Sequence, residues 1–272
     1  MSTQRIPLFL ICLFLALFPH THASQKVSQN PTHKPFIIVS PPKNGTHLVG
    51  KALELITNKA GTYHLVQIND HNDALQLILN DTEKHSFSVI HKVPKKTLKV
   101  LVQKGYKIIF IVRDPRDQLI SLQNWLREGQ WPWIKATRIK DENAQLEEII
   151  TGKINGWRGF KSCFLNYEAL LKKLPKEAVY KTRFEKLVGP QGQGSKADQI
   201  EEIIQLAQFL EIDFSIAQAE TVAQQIYGNT WTFRSGQIGN WKNHFTAHHK
   251  TIFKILYNDH LIRLGYETND KW

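Results

Sequence analysis

The chain has 272 residues, and its 35 Lys and Arg against 24 Asp and Glu leave a formal charge of +11, with 42% hydrophobic and 22% charged residues. These figures exclude a disordered tail, a collagen-like fibre and a polytopic membrane protein, each of which needs a different composition. Two cysteines, Cys12 and Cys163, rule out a disulfide scaffold and a four-cysteine zinc site.

The first segment reads as a targeting signal. Arg5 precedes an apolar run from Ile6 to Phe18, and Thr21-His22-Ala23 places small residues at the −3 and −1 positions of a cleavage site. The run falls short of the roughly 20 residues that a membrane-spanning helix needs. Residues 1–23 are therefore expected to be a signal peptide that directs export, with an uncleaved anchor as the alternative. Residues 24–35, rich in Ser, Gln, Asn, Pro and Lys, read as a flexible lead-in.

From there strands and helices alternate. Phe36–Ser40 is a short branched apolar run bounded by prolines, which suits a buried strand. Leu48, Val49, Ala52, Leu53 and Ile56 then recur at helical spacing, with Gly61 as the expected stop. Strands are predicted over His64–Ile68, Phe87–His91, Tyr106–Val112 and Ala178–Thr182. Helices are predicted over Asp73–Leu79, Thr97–Lys104, Asp117–Arg127, Ile154–Leu174, Lys196–Leu210 and Thr246–Leu264. Strands alternating with helices imply an α/β fold, a three-layer domain in which a central parallel sheet is flanked by helices. Glu128–Ile150 fits the alternation poorly; with Trp131 and Trp133 beside Trp125, it reads as a lid or a cover over the sheet.

A basic chain invites acidic partners, but its charge is dispersed, in knots such as Lys92-Val93-Pro94-Lys95-Lys96 rather than in blocks. Chemistry is expected at the carboxyl ends of the strands, where α/β folds bind ligands. Pro41-Pro42-Lys43-Asn44-Gly45-Thr46-His47 lies at such an end and opens a helix. Its backbone N–H groups can cradle a phosphate while Lys43 adds a charge and Thr46 a hydroxyl. The strand Tyr106–Val112 runs into Arg113-Asp114-Pro115-Arg116-Asp117, with Ser121 following. Arg113 and Ser121 can converge on one anion, and Asp117 is placed to cap the helix. A third segment runs from Phe233-Arg234-Ser235-Gly236 to Gly239-Asn240-Trp241-Lys242-Asn243.

In this order the three segments resemble those of the PAPS-dependent sulfotransferases, over about residues 36–265. Pro42-Lys43-Asn44-Gly45-Thr46 is similar to the family's Pro-Lys-Ser-Gly-Thr loop for the 5′-phosphosulfate. Arg113 through Ser121 is similar to its Arg-x-Pro-x-Asp…Ser signature for the 3′-phosphate, and the third segment to its Arg-Lys-Gly…Gly-Asp-Trp-Lys-Asn stretch. The resemblance implies a P-loop NTPase-like fold for residues 36–272 and sulfuryl transfer from 3′-phosphoadenylyl sulfate (PAPS). The acceptor would be a hydroxyl or amine on a small molecule or glycan, with neither metal nor nucleic acid involved. It implies Lys43 as the group that stabilises the leaving phosphate and His91 as general base, His47 being the other candidate. Donor contacts fall on Lys43, Asn44, Gly45, Thr46, His47, Arg113, Ser121, Phe184, Arg234, Ser235 and Gly236. His91-Lys92-Val93-Pro94 is one residue longer than the family's His-x-Pro, Leu48 stands where many cytosolic members carry tryptophan, and the dimer segment survives only as Lys242…Thr246-Ala247. The rival readings are a basic polyanion-binding module, which predicts clustered Lys and Arg, and a degenerate P-loop kinase, which predicts a Gly-Lys-Ser/Thr loop. Two glycosylation sequons occur, Asn44-Gly45-Thr46 and Asn80-Asp81-Thr82.

Overall fold

A computed structural model describes residues 33–129, 138–152, 171–228 and 235–272. Five strands form its sheet: β1 Phe36–Val39, β2 Gly61–Gln67, β3 Phe87–Lys92, β4 Lys107–Val112 and β5 Val179–Arg183. They lie in the order β2-β3-β1-β4-β5, every neighbouring pair parallel, with Ile38 of β1 opposite both Val89 and Ile109. The chain leaves β1 toward one edge of the sheet and leaves β4 toward the other. The crevice that this reversal opens lies beyond the carboxyl ends of β1 and β4.

The sheet is covered on both faces because its central strands carry apolar residues on both. Phe36 and Ile38 face helices α1 (Thr46–Thr57), α7 (Lys196–Phe209) and α8 (Ile216–Gln225). Ile37 and Val39 point the opposite way, toward α2 (His71–Glu83) and α3 (Lys95–Gln103). All four residues of β1 are at most 2% exposed. A further core joins α4 (Pro115–Arg127), α5 (Glu142–Thr151) and α9 (Ala247–Leu264) around Leu122, Ile149 and Phe253. Between β5 and α7 lie the short helix α6 (Phe184–Leu187) and a 3-10 turn, Pro190–Gly192.

Local chemistry sets most helix ends. Val49, Ala52, Leu53 and Ile56 give α1 the buried stripe of an amphipathic helix. It ends at Asn58, in the left-handed region at φ 53°, while Gly61, expected as its stop, opens β2. Asp114, not Asp117, caps α4: its carboxylate accepts from the backbone N–H of Arg116, and Pro115 takes the first helical position, where no N–H is needed. α8 escaped the sequence reading although it begins with a capping box, Ser215 and Gln218 bonding reciprocally. Within Glu128–Ile150, where the sequence predicts only a weak helix near Glu142, α5 runs from Glu142 on to Thr151, capped by Asp141. Residues 1–32, Trp131, Trp133, Cys163 and most of the expected helix Ile154–Leu174 lie outside the described residues. No helix among the described residues is long and apolar enough to cross a membrane.

Ile38, fully buried between two paired strands, sets a test of the core. Ile38→Ala should cost about 2–5 kcal/mol of stability in urea denaturation, from lost transfer energy and the cavity left behind. A loss under about 0.5 kcal/mol, the range of ordinary surface substitutions, would contradict this packing.

Candidate active site

The crevice holds a cavity of about 280 Å³. Its floor is the turn between β1 and α1, which reverses the chain through two left-handed residues, Lys43 at φ 68° and Gly45 at φ 97°. A Cβ on Gly45 would sit 2.7 Å from Phe184 Cδ2, so glycine is required for both backbone and space. Among the described residues no side chain caps α1, and no acidic residue occupies its first turn. Its first N–H groups and the positive end of its dipole are thus left to an anion. Around the turn, Ser40 Oγ and Thr46 Oγ1 lie 2.7 Å apart, and Gln118 of α4 donates to the Pro42 carbonyl at 2.5 Å. Asn44 is fully buried and donates through Nδ2 to the Ile111 carbonyl at 3.2 Å, so its side chain braces the loop against β4 and does not line the cavity.

Arg113 leaves the tip of β4 and forms the next wall. Its guanidinium lies 4.1 Å from the centre of the Phe184 ring, and Nη2 donates to the Gln237 carbonyl at 3.1 Å. It is 7% exposed, and its buried Nε has no hydrogen-bond partner among the described residues. Burial pulls its pKa down, opposed by Asp117, Glu185, Asp114 and Tyr266. These acidic groups are engaged elsewhere. Asp117 accepts from the backbone N–H groups of Gly239 (2.7 Å) and Trp241 (2.8 Å), and Glu185 accepts from the Asp114 N–H and the Tyr266 hydroxyl. Asp117, expected at a helix cap, instead holds the third segment against α4. Ser121, Ser235 and Gly236 complete this side of the cavity.

The histidines occupy the opposite side. His91 Nδ1 lies 2.7 Å from the Ser40 carbonyl. A carbonyl only accepts, so Nδ1 carries the hydrogen and the neutral ring keeps its lone pair on Nε2. Burial, reinforced by the nearby His47 and Lys43, lowers its pKa to about 4. His47 stacks on Tyr63 at 5.0 Å, and its pKa is lowered by burial and then by Lys43. The Lys43 ammonium lies 5.5 Å from the Trp125 ring centre.

Of the residues expected at the site, Lys43, Gly45, Thr46, His47, His91, Arg113, Ser121, Phe184, Ser235 and Gly236 line one cavity; Arg234 lies outside the described residues. Asn124, Tyr227 and Asn240 also line it and were not anticipated. Asn240 sits within the motif-bearing third segment, whereas Tyr227 had no local signal. No cluster of three potential metal ligands occurs among the described residues.

The sulfotransferase domain family matches residues 33–265, and the chain belongs to that family. It is 24% identical over 247 residues to cytosolic sulfotransferase 17 of Arabidopsis thaliana, covering 78% of this chain and 69% of the relative. It is 21% identical over 255 residues to sulfotransferase 2A6 of Mus musculus, covering 83% and 84%. The fold is similar to mouse sulfotransferase SULT7A1 complexed with PAP, at TM-score 0.61 and 20% identity over 84% of each chain. It is also similar to retinol dehydratase in complex with androsterone and inactive cofactor PAP, at TM-score 0.57 and 14% identity over 84% and 80%. The P-loop NTPase-like architecture expected for the chain is therefore the observed one.

The depressed pKa of His91 couples the site to stability. Between the unfolded value of 6.5 and the folded value of about 4, the unfolded chain binds more protons. Stability should therefore fall as pH drops through that window and stay level above it. His91→Gln, neutral throughout, should reduce the loss in urea midpoint between pH 7 and pH 5; an identical loss in both proteins would contradict a buried neutral imidazole.

Proposed function

We propose that the protein transfers a sulfuryl group from PAPS to a hydroxyl or amine acceptor. The observation that carries this reading is the convergence on one cavity of two anion-binding devices, the start of α1 behind Lys43 and the guanidinium of Arg113, whose Nε has no partner among the described residues. Their residue types fit a nucleotide with phosphate at both ends, and the left-handed backbone at Gly45 turns the start of α1 toward one of them. When bound, PAPS supplies the sulfuryl group and departs as adenosine 3′,5′-bisphosphate. Lys43 and the N–H groups opening α1 neutralise charge on the leaving phosphate, while Thr46 contributes its hydroxyl. Arg113, Ser121, Arg234, Ser235 and Gly236 hold the 3′-phosphate, and Phe184 supplies a ring under the arginine. His91 Nε2 accepts the acceptor's proton as its oxygen or nitrogen bonds to sulfur, and the bond from sulfur to the bridging phosphate oxygen breaks. Positioning and charge do most of the work, as in phosphoryl transfer. The acceptor is a small molecule or glycan entering beside His91, His47 and Trp125.

Calorimetric titration of the protein with adenosine 3′,5′-bisphosphate tests the donor site. Binding should be micromolar or tighter, absent for AMP, and lost in Lys43→Ala and Arg113→Ala; no binding by folded wild-type protein overturns the reading. For the base, His91→Ala should lower kcat by about 10²–10⁴. An anion bound nearby favours imidazolium. The acid limb of kcat should therefore lie at higher pH than that of kcat/KM for the donor, which reports the free enzyme near pH 4; coincident limbs would assign the proton to another group.

Export through residues 1–23 belongs to the same reading, supported by the apolar run and the small residues before Ser24. In a host with signal peptidase, amino-terminal sequencing should begin at Ser24, and a start at Met1 or Ser2 would contradict it.

A further inference from the structure

The family match ends at residue 265, yet the residues that follow bond to groups that flank Arg113. Arg116, two residues beyond Asp114, is 3% exposed and fully engaged. Its Nε and Nη2 donate to the Asp114 carboxylate, Nη1 donates to Glu267 at 2.6 Å, and its guanidinium carbon lies 4.1 Å from the ring centre of Trp241 and 4.5 Å from that of Trp272. Trp272 is itself fixed, because its indole N–H donates to Asn258 of α9 at 2.8 Å and its ring meets Trp241 edge-on at 5.4 Å. Tyr266 donates to Glu185, which in turn accepts from the N–H of Asp114, the residue next to Arg113.

None of these side chains lines the cavity except through its neighbours. Trp241 belongs to the turn that Asp117 pins by its backbone, and Gln237 in the same segment accepts from Arg113. A planar guanidinium bonded to two carboxylates and set in the corner of two perpendicular indoles is tightly held. Whatever fixes Arg116 and Trp241 therefore fixes the walls that carry Arg113, Ser235 and Gly236.

We propose that residues 266–272 act as a strap in which Trp272 and Glu267 are positioning residues for the donor phosphate. They hold the Arg116–Trp241 stack and, through it, the geometry of the Arg113 wall. The proposal rests on the donor reading above. Misplacing a binding group by about an ångström costs a site up to about 10²-fold. Trp272→Ala should therefore weaken adenosine 3′,5′-bisphosphate binding by about tenfold in calorimetry. Trp272→Phe, which keeps a ring over the guanidinium, should restore affinity to within about threefold of wild type. Glu267→Gln, which keeps size but not charge, should weaken it severalfold. Equal affinity in wild type, Trp272→Ala and Glu267→Gln, with circular dichroism unchanged, overturns the strap while leaving the donor site standing; failure of wild type to bind overturns the donor site itself. Unfolding of both variants would assign the segment to stability alone and equally overturn a positioning role. Loss in Trp272→Ala with rescue by Trp272→Phe is the result that a purely structural contribution to stability does not produce.

Discussion

The turn between β1 and α1 is the constraint on which the site depends. The central strand delivers the chain to the crevice, and the chain must then reverse within a few residues to lay α1 back on the sheet. It does so through left-handed backbone at Lys43 and Gly45, a conformation that is costly for lysine and tolerable only because the neighbours hold it. Asn44 pinned to β4, Gln118 pinned to Pro42, and the Ser40–Thr46 pair provide that hold. The result is a helix start stripped of side-chain caps and presented to the cavity as a cluster of donors.

The opposite wall solves a different problem. A guanidinium buried to the depth of Arg113 needs negative neighbours, yet a carboxylate paired directly with it would compete with an incoming anion. Asp114, Asp117 and Glu185 lie close enough to favour its charge, while their oxygens accept from backbone N–H groups, from Arg116 and from Tyr266. The arginine keeps its charge and also its capacity to bind. The carbonyl of Ser40, the residue after β1, orients His91, so the segment that leads into the turn also sets the tautomer of the imidazole.

Much of this was legible in the chain itself, because a buried parallel strand reads as an unbroken apolar run and Ile108 to Val112 is such a run. The residues that line the cavity at the ends of β1 and β4 were legible for a related reason: they follow strand ends directly, where α/β folds place ligands. What escaped the sequence were relations between distant residues. The partners of Asp117, Gly239 and Trp241, come more than a hundred positions later, so a helix cap was the natural local reading. Asn44 has the chemistry of a donor contact, and only the register of β4 beside the turn shows that its amide faces Ile111. Tyr227, two residues beyond the end of α8, reaches the cavity through tertiary packing alone.

The buried amide of Asn44 has a consequence for biosynthesis. It belongs to an Asn-Gly-Thr sequon, and its side-chain nitrogen, the atom a glycosylating enzyme must reach, is fully shielded and donated to a strand carbonyl. In a compartment that attaches such glycans, the modification and the fold are mutually exclusive outcomes at this residue. A sugar added to the nascent chain would prevent the loop from closing on β4. A chain that closes first is immune from then on, so the yield of competent protein in such a compartment is set by a race between transfer and folding.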